Sequence, residues 1–430
     1  MSSIHFFIGK LRLPSILLLF LSSSFSATTY GQDQSTPRTT VDAETLRSMM
    51  QRITQLEAEI RELKAAKNTP SVSTQGNSQT VSSSQDTKPD SKDEAQSDVF
   101  HPESLSAPIG FHWQGYGDVN FVQSDQHQNN GIFLGDFNLL LTSRLSDNLS
   151  FLGEMVMQTD ATQMFQIMPE RALLLYSPND YFHLSLGRYH TRIGYYNNAY
   201  HHGAAYLMPT VERPLLFAFS DQGGVLPIHK IGASLTGRIP SGALGLNYVA
   251  ELGYGPSNMD MSNTNATMTV ADAHDGRAFN LGFFARPTFW KPVQFGFNFY
   301  HSDRIPMGIP TFGENIFAAH FVYQTFGFEF LNEAAMIRHS ADMMGTFNTT
   351  GFYSEVSHRW GLWRPYFQYQ FLNTPQMDPI FMMTGRQNGP SAGIRYDIAE
   401  SASIKLQFDH LDRRVMPSIN TVTLQTAFTF

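Results

Sequence analysis

From Ile109 to Phe430 the chain consists of short stretches in which apolar and polar residues alternate, separated by turn residues. Val293, Phe295, Phe297 and Phe299 alternate with Gln294, Gly296, Asn298 and Tyr300; Ala402, Ile404, Leu406 and Phe408 alternate with Ser403, Lys405, Gln407 and Asp409. Successive side chains of a strand point to opposite faces, so each stretch predicts a strand with one apolar and one polar face. The strands read near 110–122, 132–145, 149–158, 169–177, 181–190, 229–238, 243–254, 277–289, 293–302, 315–324, 327–337, 348–360, 363–373, 391–399, 402–410 and 420–430. The expected fold is all-β, a 16-stranded antiparallel transmembrane barrel over 109–430, preceded by a short coiled-coil helix.

The connections alternate in length. Short ones fall at 146–148, 177–180, 240–242, 290–292, 325–327, 360–363 and 399–401, and longer polar ones at 123–131, 159–168, 191–228, 255–276, 303–314, 338–347, 374–390 and 411–419. Tight periplasmic turns and long external loops follow this order in an outer-membrane barrel. Its apolar face meets lipid and its polar face meets water, the reverse of a small soluble barrel. Trp290, Trp360 and Trp363 fall at predicted turns, where an interfacial aromatic girdle would sit. In the last strand Val422, Leu424, Thr426, Phe428 and Phe430 share a face, and this strand is expected to pair with 110–122 and remove the sheet edge.

The first hundred residues have another texture. Lys10 and Arg12 precede a short apolar core, Leu17 to Leu21, and then small residues, which reads as a secretory signal peptide over 1–26, with Gly31 as a later cleavage position. Leu46, Met49, Ile53, Leu56, Ile60 and Leu63 repeat at a/d spacing, predicting a coiled coil over 41–67, or a single amphipathic helix lying on another surface. Residues 68–108 are almost devoid of apolar side chains and read as a solvated linker.

Composition narrows the function classes. The net charge of −8 is spread without a basic block, so nucleic acid is not an expected partner. With no cysteine, disulfides, thiolate metal sites and a cysteine nucleophile are excluded. No Ser/His/acid set stands out, so an enzyme is not expected and no cofactor is implied.

The signal peptide, the segment "ITQLEAEIRELK", the barrel pattern and the terminal Phe430 together resemble the Gram-negative sixteen-stranded porins, most closely the phosphate-selective porin O/P-like group. That resemblance implies an outer-membrane homotrimer with a periplasmic coiled coil, passing small hydrophilic solutes or ions by diffusion. It also implies that Phe428 and Phe430 belong to the signal read by the barrel-insertion machinery, and that the third external loop narrows the pore. The barrel region holds only Lys230, Lys291 and Lys405, which departs from the lysine-rich pattern of phosphate-selective members. An outer-membrane anchor tethering the envelope is the alternative function, with an outer-membrane hydrolase behind it.

Loop 191–228 is therefore the candidate constriction, with Arg192, Tyr195, Tyr196, His201, His202, Glu212, Arg213 and Asp221 as its polar lining. The same residues could instead fix the loop to the wall. Parity places Asp118, Asp136, Arg144, Glu154, Glu251, Arg286, Glu329, Glu333, Arg364, Arg395 and Lys405 on the lumen wall, with signs nearly balanced. His190, His201, His202 and His229 are the residues that could converge on a metal. No metal is expected, because parity puts His190 and His229 on the lipid face unless a bulge re-aims them.

Overall fold

The computed structural model describes residues 110–127, 130–159, 165–201, 203–218, 224–254, 277–304, 311–381 and 384–430. The expected signal peptide, coiled coil and linker lie outside them, as do His202 and Asp221.

The strands are β1 (Gly110–Ser124), β2 (Gly131–Arg144), β3 (Leu149–Thr159), β4 (Phe165–Asn179), β5 (Phe182–His190), β6 (His229–Arg238), β7 (Leu246–Tyr254) and β8 (Ala278–Ala285). They continue with β9 (Val293–Arg304), β10 (Phe312–Thr325), β11 (Phe328–Ala341), β12 (Gly345–His358), β13 (Trp363–Asn373), β14 (Arg386–Ala399), β15 (Ala402–Arg413) and β16 (Ile419–Thr429). Each pairs antiparallel with its sequence neighbour, and β16 pairs with β1, closing a sixteen-stranded barrel. Closure satisfies every ladder internally, which is what allows strands to cross hydrocarbon.

The two faces separate as alternation predicts. On β9 Phe297 is 58% exposed on the outside while Asn298 beside it is 6% exposed within. Trp290, Trp360 and Trp363 all lie exposed at the end of the barrel that carries the short turns. At 360–363 the turn closes with the Trp360 N–H donating to Trp363 O at 2.7 Å and the Trp363 N–H returning to Trp360 O at 3.0 Å. Gly361 supplies its φ of 60°, a left-handed conformation glycine adopts without a Cβ penalty.

The strands run further toward the loop end than alternation indicates. β11 continues to Ala341 and β12 begins at Gly345, so the expected loop 338–347 is a tight turn with Met343 at φ 65°. β14 likewise begins at Arg386 and β15 runs to Arg413. Polar residues such as Arg386 and Asn388 occupy these ends, so the extension rests on ladder hydrogen bonds and has no apolar face to announce it. At the turn end β8 stops at Ala285, short of the expected 289, before a 3₁₀ turn at Thr288–Trp290. Pro287 lacks the N–H a further ladder rung needs.

At the seam the Gly115 and Phe430 backbones exchange hydrogen bonds of 2.8 and 3.0 Å. A Cβ on Gly115 would come within 2.2 Å of the Phe430 ring, and one on Gly117 within 2.7 Å of Phe428. Each ring covers the bare glycine of the facing strand, and Phe430 also stacks on Phe137 with centroids 5.5 Å apart.

Candidate functional site

After β5 the chain enters loop 191–228, which holds two single-turn helices, Tyr196–Ala199 and Ala204–Leu207, and a 3₁₀ turn, Leu215–Phe217. Gly194, at φ 73°, admits the turn that brings the loop against the wall; a Cβ there would meet Glu333 Oε2 at 2.1 Å.

One stretch of the loop gives its backbone to the wall. The Tyr195 and Tyr196 N–H groups donate to the two oxygens of Glu333 at 2.6 and 2.8 Å, and the Tyr353 hydroxyl adds a third bond at 2.7 Å. Asn298 accepts from the Gly194 N–H at 3.1 Å and donates to Arg192 O at 2.7 Å, while the Arg192 N–H reaches Glu251 at 3.1 Å. Further along, the Val211 N–H donates to Gln407 at 2.8 Å and the Leu215 N–H to Gln370 at 2.9 Å. Lys405 Nζ donates to Ala205 O and to Thr210 O, and Arg395 donates to Tyr206 O and Met208 O. Wall residues from β7, β9, β11, β13, β14 and β15 thus hold one loop.

Apolar packing accompanies these bonds. Ile193, Tyr195, Tyr196, Tyr200, Met208, Leu216 and Phe217 form a buried cluster with wall residues including Tyr300, Leu331, Ile337 and Leu372. Tyr196 stacks on Phe217 with centroids 5.1 Å apart. Burial, then the Glu329 carboxylate, pushes the Tyr200 phenol well above its ordinary pKa, so its hydroxyl remains a donor to Glu329. Tyr195 and Tyr196 are therefore core of this packing, not lining of an open passage.

The other side of the loop carries charge. Glu212 is exposed, and Arg213 lies 3.8 Å from Asp136 while donating to the ring nitrogen and backbone oxygen of His201 at 2.7 and 3.0 Å. Glu212 is reached by solvent but surrounded by protein, and this partial desolvation, then the carboxylates of Asp409 and Asp118, lift its pKa to about 7. Asp118 accepts from Asn120 at 2.6 Å and from the Asp136 N–H at 3.1 Å.

The other wall residues read from parity are mostly paired. Arg364 meets Glu329 at 2.7 Å, Arg395 meets Asp397 at 2.7 Å and Arg286 donates to Gln294 at 2.7 Å. Glu251 accepts from Ser234 and Asn280 at 2.9 and 2.8 Å. Arg144 sits at the turn end of β2, opposite Gly110. Glu154 pairs with Arg171 at 2.5 Å, a partner that alternation did not assign. A bulge in β4, where Glu154 faces Arg171 and Met155 faces Pro169, leaves Glu170 as the extra residue. The signal for it is Pro169, which cannot donate to a ladder and marks a bulge or edge. Glu314 and His339 also escaped, because the ends of β10 and β11 read as loop; His339 sits between Glu314 and Asp378, 2.8 Å from each.

His190 and His229 are a facing pair across β5 and β6 and are covered, contrary to the lipid-facing position parity assigned. His201 joins them from the loop, with ring centroids 4.4 Å from His190 and 5.0 Å from His229.

No protein-family model matches the chain, and no curated protein matches its sequence. Among solved structures the barrel is similar to an anion-selective porin from Comamonas acidovorans, with TM-score 0.55 and 11% identity over 75% of this chain and 99% of that one. It is similar to OmpF of Salmonella typhi in complex with daunomycin, with TM-score 0.52 and 12% identity over 74% and 97%. The trimer form of OmpT, an outer membrane protein of Vibrio cholerae, gives 0.52 and 10% over 75% and 99%. At these identities the likeness defines a fold, that of the sixteen-stranded porin barrels.

Proposed function

We propose that this protein is an outer-membrane porin: a passive channel for small hydrophilic solutes and ions, narrowed by loop 191–228. The observation that carries this reading is the tethering of the loop to Glu333, Asn298, Gln370, Gln407 and Lys405, which draws it into the lumen. The barrel closure and the porin-type fold support an outer-membrane site, with the segment 41–67 as a periplasmic coiled coil. A homotrimer is the assembly we expect, as OmpT of Vibrio cholerae adopts a trimer form. Phe428 and Phe430 are the residues we assign to recognition by the insertion machinery.

Solutes pass the charged side of the loop. Asp118, Asp136, Glu212 and Asp409 outnumber Arg213 and Lys405 there, which favours cations over anions. The loop's residues supply tethers and field.

Planar-bilayer recording of the purified protein tests this. Stepwise conductance is expected, with a reversal potential of cation-selective sign in a salt gradient, and deletion of 192–226 raises the conductance. Silent bilayers from a folded, heat-modifiable barrel would overturn the porin reading in favour of an envelope anchor. Unchanged conductance after the deletion would remove the loop from the constriction.

A further inference from the structure

Among the described residues, His190, His201 and His229 bring one ring nitrogen each within 4.8 Å of one another. They come from three places: the end of β5, the loop, and the start of β6. His190 and His201 are buried, and the His229 side chain is 11% exposed. The rings stand edge to face, at interplanar angles of 66°, 61° and 78°. Glu170, set inward by the bulge in β4, brings a carboxylate oxygen to 2.8 Å from His229 Nε2.

We propose that these three imidazoles are a binding site for one divalent transition-metal ion of borderline softness, Zn²⁺ or Cu²⁺. Imidazole nitrogens bind either ion, at about 2.0–2.1 Å for zinc. Tetrahedral ligands at that radius lie roughly 3.3 Å apart, so the cluster must tighten by about 1.5 Å at its widest. His190 and His229 are fixed by their facing backbones, and His201 closes on them from the loop. The Glu170 carboxylate, 2.8 Å from His229 Nε2, engages that edge of the ring and leaves Nδ1 for the ion, the role carboxylates play behind metal-bound histidines.

Arg213 is the competitor. A guanidinium only donates, so at 2.7 Å it occupies the lone pair of His201 Nδ1 and leaves the proton on Nε2. Coordination by His201 through Nδ1 requires Arg213 to leave, and Asp136, 3.8 Å from it, is there to receive it. The site stands whether or not the barrel conducts.

The test is equilibrium dialysis of the chelator-stripped, full-length barrel against buffered Zn²⁺ or Cu²⁺, with metal counted per chain and the bound Cu²⁺ examined by electron paramagnetic resonance. One high-affinity ion with hyperfine coupling to imidazole nitrogen is expected. His201→Ala and His229→Ala each weaken it at least tenfold and Glu170→Gln weakens it less, whereas Arg213→Met tightens it. His112→Ala and His358→Ala leave it unchanged. Heat-modifiable gel mobility confirms that each variant holds its barrel, and His201, being on the loop, can be replaced without touching a strand. Failure to retain a stoichiometric ion at micromolar free metal, or an ion whose affinity is indifferent to His201→Ala and His229→Ala, overturns the proposal.

Discussion

Along residues 193–200 loop 191–228 gives the wall backbone N–H groups and aromatic rings, whereas at 212–213 it presents a carboxylate and a guanidinium. In the first arm Glu333 collects three donors and the tyrosines exclude water around them. In the second, Glu212 is exposed and its neighbours Asp118 and Asp409 share its sign. On the porin reading proposed above, the contrast separates holding from selecting. Buried, fully satisfied bonds rigidify a segment, while like charges gathered around a solvent-reached carboxylate leave a field for ions to meet.

The sharpest way to break this division is Glu333→Ala. Three buried donors lose their acceptor, and each orphan costs about 1–3 kcal/mol. The loop is expected to come away from β11, with severalfold higher and noisier single-channel current; unaltered current would show that the hold lies elsewhere. Lys405→Met tests the same arm more gently, since it keeps the packing of the stem but strips the donor from Ala205 O and Thr210 O. Here a moderate rise in current noise is expected, accompanied by faster proteolysis near Thr210 in the folded barrel.

Selectivity sharpens the other half. Because the Glu212 pKa is raised to about 7, its carboxyl is neutral below that and charged above. Cation preference, read as reversal potential, should therefore grow between pH 5.5 and 8.5 and lose part of that slope in Glu212→Gln. The stability linkage has the opposite direction: the raised value contributes stability at pH below the ordinary carboxyl range, and this is lost as pH rises through about 7. A wild-type slope matched by the variant would take Glu212 out of the passage. The smallest effect is expected at Asp378→Asn, which removes one of two carboxylates from His339 and loosens segment 374–381. Limited proteolysis should detect it while conductance stays the same.

Much of this fold was legible because lipid and water act on alternate residues of a strand. Phe295, Phe297, Leu406 and Phe408 announce themselves against Gln294, Asn298, Lys405 and Gln407. Legibility fades where that pressure stops. Arg386, Asn388 and Arg413 are strand residues beyond the apolar band, where hydrogen bonds to the neighbouring strands hold the backbone. Parity also fails past Pro169, where one extra residue turns Glu170 inward. Within the loop, residue type marked the region but not the roles. Tyr195 and Tyr196 look like pore lining in sequence, yet Glu333, which accepts from both of their N–H groups, is reached only once the loop lies against β11. The three clustered histidines illustrate the same limit, since His201 meets His190 and His229 by the path of the loop and not by spacing.

The rings of Phe428 and Phe430 resting on Gly117 and Gly115 also act as a gauge of alignment. If β16 slid two residues one way along β1, Phe428 would rest on Gly115 and Thr426 would face Gly117, leaving that glycine thinly covered. A slide of two the other way would drive Phe428 against Val119. Parity would be preserved in both cases, so hydrophobic patterning alone could not reject them. Bulk matched to void at two adjacent rungs does, and the last joint of the cylinder thereby proofreads its own register before the wall is sealed.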